Sequence, residues 1–159
     1  EQFNALGASA IALPFGELYT ALQTGVVDAQ ENPLDTIQRM KYYEVQKHLV
    51  VSDHGAMEDV VLFNTAFWNG LPEEHRTVIT EAFQEVIPEL IAHKAEAVKA
   101  ALAEIEASGI DIREMTSEEK QAFREKMYPA TREAFLSRTG DEGKALIEVY
   151  EREYEAVAQ

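Results

Sequence analysis

The feature that most constrains the fold of this chain is a helical apolar pattern that runs from about residue 72 to residue 108. Pro72 suits the first helical position, acidic residues follow it in the first turn, and Gly109 suits the end. Apolar residues recur every three or four positions in between: Ile79, Phe83, Ile87, Ile91, Ala95, Val98, Leu102 and Ile105. A kink is expected at Pro88. The helix would be roughly 55 Å long, which is more than a compact domain of 159 residues needs. It therefore either bridges two lobes or packs against a partner outside this chain.

The sequence after this helix predicts one short strand and further helices. Ile110 to Glu114 reads as the strand, and the run from Thr116 to Glu119 is a capping box that starts the next helix. Pro129 is expected to bend or divide that helix. Gly140, followed by an aspartate, closes it and starts a last helix that ends near Val157.

Two helices are predicted before the long one. The segment from Pro14 to Thr24 has helical apolar spacing, and Gly25 follows where a left-handed residue often ends a helix. Asn32 as the N-cap and Pro33 at the first helical position predict a second helix that extends to about Lys47.

Short β-branched runs between these helices predict strands. Val26-Val27 could begin one, and Leu49 to Val51 and Val60 to Phe63 read as buried strands. The fold class is therefore expected to be α/β. We expect an α/β segment over residues 1–71, followed over residues 72–159 by the long helix, a short strand and C-terminal helices.

Composition excludes several classes of partner and cofactor. Asp and Glu number 29 against 14 Lys and Arg, a net charge of −15, so nucleic acid is not an expected partner. The absence of cysteine excludes disulfides, thiol catalysis and Cys-ligated zinc. His75 and His93 would lie roughly 27 Å apart on the long helix, too far to share an ion. We expect no metal site and no cofactor.

No sequence motif indicates an enzyme or a membrane span. The chain contains no GxSxG, GxxxxGK[ST], GxGxxG or HExxH motif, and its many acids single out no catalytic pair. We therefore predict no catalytic residues and no enzymatic activity. No run of about 18 apolar residues could cross a bilayer. The chain starts at Glu1 and not at Met, which is expected of a processed or excised product.

A series of motifs in one fixed order carries a family resemblance. They are PFGELYTALQTGVVD from residue 14, QENP from residue 30, YEVQK from residue 43 and SDH from residue 52. FWNGLPE from residue 67 comes next, at the start of the long helix. Together they resemble the solute-binding proteins of tripartite ATP-independent periplasmic (TRAP) transporters, of the DctP type. The resemblance extends over essentially the whole chain.

The resemblance implies a periplasmic protein with two α/β lobes that close on a small organic acid, which is then delivered to membrane permease subunits. A long helix spans both lobes in this family. The chain corresponds only to the second half of such a protein. It lacks the N-terminal lobe and the arginine that pairs with the ligand carboxylate, so we expect it to bind ligand poorly by itself.

Four residues take site roles from the resemblance. Phe15 matches an aromatic residue that packs on the ligand, although a core position or a hydrophobic staple is about as plausible from sequence alone. Asn32 matches an asparagine whose amide contacts the ligand, a role compatible with an N-cap. Glu31 and His54 match a polar pair behind the ligand arginine, whereas the alternative is an unpaired surface Glu and His. Ala29 stands where the family usually has Gly, which puts the local backbone in doubt.

A second function stays open at this point. Residues 72–157 could form a helical protein-interaction module with no small-molecule ligand. A binding protein predicts that Phe15 and Asn32 face a cleft, whereas an interaction module predicts an exposed apolar stripe on the long helix. In either case a half-length chain should expose surface intended for a partner, and we expect it to form a dimer or a swapped assembly.

Overall fold

The computed structural model describes residues 1–57 and 59–157. Its elements are α1 (Gln2–Ala5), α2 (Phe15–Thr24), α3 (Leu34–Arg39), a 3₁₀ turn (Tyr42–Glu44), β1 (His48–Val51), α4 (Thr65–Gly70), α5 (Glu73–Ala107), β2 (Asp111–Glu114) and α6 (Ser117–Val157). They form two compact units. The sheet unit comprises residues 14–51 and 55–113, and the helix unit comprises residues 1–13, 52–54 and 114 onward.

The sheet unit is built around a small core that α2, α3, the 3₁₀ turn and α5 share. Its buried members are Leu22, Ile37, Tyr42 and Ile105. β1 and β2 pair as a two-stranded parallel sheet beside this core. The amide of Asp111 donates to the carbonyl of Lys47 at 3.2 Å, which starts the pairing of the two strands. The strands predicted at residues 49–51 and 110–114 are therefore confirmed.

The long helix is confirmed as α5, which has 35 residues. It begins directly after Pro72, and Gly109 follows its end with a φ of 82°. A φ in this region suits glycine because it has no Cβ. The helix continues through Pro88, and the kink expected there stays a prediction.

The helix unit contains α6, which is two helices meeting at Gly140. The predicted capping box is present: the amide of Glu119 donates to Thr116 Oγ1 at 3.2 Å, and the amide of Thr116 donates to Glu119 Oε2 at 2.9 Å. The backbone of Gly140 is non-helical (φ 59°, ψ −140°), which confirms the predicted boundary. Pro129 lies inside the first helix without dividing it. Within the described ranges, no helix combines the length and apolar character needed to cross a membrane.

The helix predicted from Pro33 to Lys47 is shorter than expected. α3 ends at Arg39, because Lys41 adopts a left-handed conformation (φ 57°) that a helix cannot continue through. The turn after it brings Tyr42 into the core, where its ring is fully buried. Burial of this large side chain offsets the cost of the left-handed residue.

The predicted N-cap at Asn32 is wrong. Pro33 occupies the cap position, and the side-chain amide of Asn32 donates instead to Gln30 Oε1 at 2.7 Å. This hydrogen bond holds the two side chains together within the loop before the helix.

Two of the predicted strands are not strands. The amides of Val26 and Val27 bond back to the carbonyl of Ala21 and close the end of α2, so they are unavailable to a sheet. Residues 60–63 join no strand within the described parts of the chain, and their apolar side chains are exposed. β-branched composition favours a strand only where a neighbouring strand supplies hydrogen-bond partners.

Candidate functional site

The loop from Gln30 to Pro33 presents the polar side chain predicted to contact the ligand. Asn32 is half-buried, and its contact with Gln30 uses one of its two amide hydrogens. Within residues 1–57 and 59–157, the second hydrogen and the amide oxygen of Asn32 remain for another partner. Pro33 (φ −58°) joins this loop directly to α3, and its ring restricts the backbone between Asn32 and the helix.

Phe15 begins α2 and is 56% exposed. Its carbonyl accepts a hydrogen bond from the Tyr42 hydroxyl at 3.4 Å, which ties the start of α2 to the core. The core position considered from sequence is therefore wrong, and an exposed ring at a fixed backbone position can pack on a flat or apolar group. Phe15 and Asn32 both belong to the sheet unit, and that they face one cleft stays a prediction.

Glu31 and His54 belong to different units. Glu31 is exposed in the sheet unit, and His54 is half-buried in the helix unit. His54 Nδ1 lies 2.7 Å from Ser52 Oγ, and the His54 ring meets the Phe3 ring edge-on with centroids 5.3 Å apart. These contacts orient the imidazole from within its own unit. The pairing of Glu31 with His54 stays a prediction.

A buried charge that the sequence did not indicate lies three residues after Asn32. Asp35, in the first turn of α3, is only 6% exposed. Its Oδ2 accepts from Lys94 Nζ at 2.6 Å and from Arg39 Nη2 at 3.3 Å. Burial by itself would raise the pKa of Asp35, but the hydrogen bond and charge of Lys94 outweigh it, so the pKa is lowered. An acid at a helix start is usually solvated, so no sequence pattern indicates this burial.

An apolar stripe lies exposed on the N-terminal half of α5. We call it the α5 stripe; its members are Phe83, Val86, Ile87, Leu90 and Ile91. Phe67 and residues 60–63 are also exposed in the same unit. Isolated exposed apolar residues are ordinary, but a contiguous stripe of this kind indicates a surface that a partner covers.

One depression in the sheet unit does not involve the predicted contact residues. An open depression of about 490 Å³ near the start of α5 is lined by Trp68 and mostly by exposed polar side chains, and it includes neither Phe15 nor Asn32. Within residues 1–57 and 59–157, no three His, Asp or Glu side chains converge as a metal site would require.

Comparison with known proteins identifies the family and shows that the match is partial. The family model described as "Bacterial extracellular solute-binding protein, family 7" (DctP) matches residues 1–138. The chain is 32% identical to the ectoine-binding periplasmic protein TeaA of Halomonas elongata over 99% of this chain and 46% of that protein. It is 42% identical to the C4-dicarboxylate-binding periplasmic protein DctP of Rhodobacter capsulatus over 80% of this chain and 39% of that protein.

A solved structure supports the same conclusion. A TRAP periplasmic solute-binding protein from Desulfovibrio salexigens, with bound orotic acid, is 57% identical and superposes with a TM-score of 0.91 over 98% of this chain and 50% of that one. The predicted fold class is thereby confirmed, and the chain spans about half the length of the relatives it matches. This chain belongs to the DctP-type family of bacterial extracellular solute-binding proteins, which are binding proteins and not enzymes.

Proposed function

We propose that this chain forms the C-terminal half of a periplasmic solute-binding protein that captures a small organic acid and delivers it to TRAP permease subunits. The observation that carries the proposal is the 57% identity, over nearly the whole chain, to a protein with bound orotic acid. Orotate, ectoine and C4-dicarboxylates, which are bound by relatives of this chain, all carry a carboxylate. The shared chemistry of these ligands supports an organic acid as the ligand class.

The proposed site combines residues of this half with residues of an upstream half. The free amide hydrogen of Asn32 donates to a carboxylate or carbonyl oxygen, and the exposed ring of Phe15 packs on the body of the ligand. Glu31 and His54 support the arginine that the upstream half contributes. A bidentate arginine–carboxylate pair supplies the main orienting contact. The division of the chain into a ligand-lobe segment (residues 1–71) and a segment of the long helix, short strand and C-terminal helices (residues 72–159) is part of this proposal.

Capture is a shift between open and closed arrangements of two lobes. The ligand stabilises the closed arrangement through contacts that it makes only there. In this proposal the upstream half also covers the α5 stripe, which accounts for the exposure of apolar side chains on an otherwise amphipathic helix.

The exposed α5 stripe also favours a second function, the helical interaction module. Such a module needs no ligand and no upstream lobe, because the stripe itself binds a partner helix or sheet. The two functions differ in what Asn32 does: it contacts a ligand in the first and has no required role in the second.

Calorimetric titration of a longer polypeptide that includes the upstream half tests the function. The panel is orotate, succinate and ectoine, with a neutral sugar as the negative control. We expect at least one acid to bind, and Asn32→Ala to weaken it about tenfold or more, because a hydrogen bond to a charged group is lost. Asn64→Ala removes another asparagine side chain that only caps α4, and it should leave the affinity unchanged. Failure of every acid to bind would favour the interaction module.

Sedimentation of the 159-residue chain tests the proposed exposure of a partner surface. We expect concentration-dependent self-association into a dimer or a swapped assembly, because the α5 stripe remains uncovered. Replacing Ile87 and Ile91 with lysine should abolish the self-association. A monodisperse monomer at all concentrations would contradict this part of the proposal.

A further inference from the structure

Only one of the two carboxylate oxygens of the buried Asp35 accepts hydrogen bonds within the described residues. Lys94 Nζ and Arg39 Nη2 both contact Oδ2, whereas Oδ1 is buried and has no hydrogen-bond partner within the described residues. Lys94 lies on α5, and Arg39 lies one turn further along α3. The contact between Lys94 and Asp35 is therefore a direct charged link between two helices. It is also the shorter of the two contacts, at 2.6 Å against 3.3 Å.

α3 depends on such contacts for its position. It has six residues, far fewer than an isolated helix needs to be stable in water. Its apolar contact with the core comes from Ile37, which is buried, and from Leu34, which is partly buried, and an apolar contact tolerates small rotations and translations. Gln38 Nε2 on α3 also donates to Glu104 Oε2 on α5 at 2.8 Å, in an exposed contact. The Lys94–Asp35 ion pair is directional, charged and partly buried, so it is the stronger restraint on the setting of α3 on α5.

The setting of α3 determines the position of Asn32. Asp35 is the second residue of α3, and only Pro33 separates α3 from Asn32. Because the proline ring restricts the backbone at this junction, a rotation of α3 is transmitted to the Asn32 side chain. The contact of Asn32 with Gln30 is local to the loop and moves with it.

We propose that the Lys94–Asp35 ion pair positions Asn32 for the ligand by fixing the first turn of α3 on α5. Lys94 is then a positioning residue of the binding site, although it lies on the long helix and touches no ligand. The inference rests on the proposed function of Asn32. It adds a specific role for α5, which supports the ligand loop as well as contributing to the core.

A double-mutant cycle in the longer polypeptide tests the proposal, with orotate or succinate as the probe, whichever binds the unaltered protein. Lys94→Met should weaken binding at least fivefold, and Lys94→Arg, which keeps the charge, should restore most of the affinity. Lys99→Met, an exposed lysine on the same helix, should change affinity less than twofold. Because Lys94 acts through Asn32, Lys94→Met should have no further effect in an Asn32→Ala background.

A purely structural role of Lys94 predicts a different result. It would weaken binding by the same factor in both backgrounds, and that outcome would overturn the proposal, as would an unchanged affinity in Lys94→Met.

Hydrogen exchange of the ligand-free polypeptide separates this inference from the proposed function. Lys94→Met should raise amide exchange in residues 30–39, and Lys99→Met should not. Unchanged exchange in both variants would overturn the positioning role regardless of any ligand. If exchange rises but no acid binds even the unaltered protein, the anchoring of α3 is supported and the proposed function fails.

Discussion

The two halves of α5 carry the same kind of apolar face, but this face is buried in the C-terminal half and exposed to solvent in the N-terminal half. Ile87, Ile91, Val98 and Ile105 lie on one side of the helix, within about 40° of one another at 100° per residue. Ile105 is fully buried against α3 and the 3₁₀ turn, whereas Ile91 is 66% exposed. The helix is continuous between them, so the difference comes from what covers each half and not from the helix itself.

This contrast shows what a helical apolar pattern specifies. The pattern selects the face that prefers to be covered, because the 3.6-residue period aligns the apolar side chains. The pattern does not indicate where along the helix another element packs on that face. The covered half meets α2 and α3 of the same chain, and in the proposed function the exposed half meets an upstream lobe.

A matched pair of truncations gives the largest expected difference between the halves. Ile105→Ala should lower the free energy of unfolding by about 2–5 kcal/mol, because it removes buried methyl groups and leaves a cavity. Ile91→Ala should change it by less than about 0.5 kcal/mol in the 159-residue chain when it is too dilute to self-associate, since the Ile91 side chain is then exposed. Urea unfolding followed by circular dichroism measures both. A similar loss in both variants would show that the α5 stripe is covered in solution, for example by self-association.

Lys94 lies where the two halves of α5 meet, and replacing it is expected to give the next largest change in stability. The lowered pKa of Asp35 means that its ion pair stabilises the fold at neutral pH, and that this stabilisation is lost as pH falls through the folded-state pKa, which lies below the ordinary value of an aspartate. In Lys94→Met we expect burial, the largest single influence on this carboxyl group, to raise the pKa of Asp35, although Arg39 still faces the same oxygen from an exposed position. In this variant, burying the neutral, protonated carboxyl group of Asp35 costs less free energy than burying its charged form.

We therefore expect Lys94→Met to lower stability by about 1–3 kcal/mol at pH 7, with a deficit that shrinks as pH falls toward 4. Urea unfolding at pH 7, 5 and 4 measures the deficit. A deficit that is constant with pH would mean that packing of the lysine stem, and not its charge, stabilises the junction.

The smallest expected effect is at Glu104, a polar residue on the half of α5 that packs against the core. Glu104 is exposed, and it accepts hydrogen bonds from the half-buried Tyr43 and Gln38, from the Tyr43 hydroxyl at 3.2 Å and from Gln38 Nε2 at 2.8 Å. Burial first, and then the hydrogen bond and charge of Glu104, raise the pKa of the Tyr43 hydroxyl. Glu104→Gln should move this pKa down toward that of free tyrosine, with little change in stability.

Absorbance titration of tyrosinate measures the change at Tyr43. Glu106→Gln is the matched control on the same helix and should leave the titration unchanged. An unaltered titration in Glu104→Gln would mean that Glu104 does not contact Tyr43 in solution.

Features that depend on neighbouring residues in the sequence were predictable. The capping box between Thr116 and Glu119 and the boundary at Gly140 follow from backbone chemistry within a few positions, and both are present. The long helix was predictable because its pattern repeats over about ten turns. Motif residues likewise identified the family from sequence alone.

Features that depend on distant contacts were not predictable. Residues 60–63 have strand composition, but a strand needs a partner that no local pattern reveals. The end of α3 is set by the burial of Tyr42, and the burial of Asp35 is set by a lysine on another helix. For the same reason sequence analysis named Asn32 as a contact residue but could not find the ion pair that we propose to position it.

The turn at Gly140 has a consequence for insertions and deletions. This single residue reverses the chain, with a backbone conformation that essentially only glycine adopts. Across the turn, the Arg124 guanidinium lies 3.4 Å from the Tyr154 ring centre, and the Tyr128 hydroxyl donates to Glu151 Oε1 at 2.9 Å. One inserted residue would rotate the returning helix by about 100° and separate both pairs. The number of residues between these partners is therefore more tightly constrained than their identity.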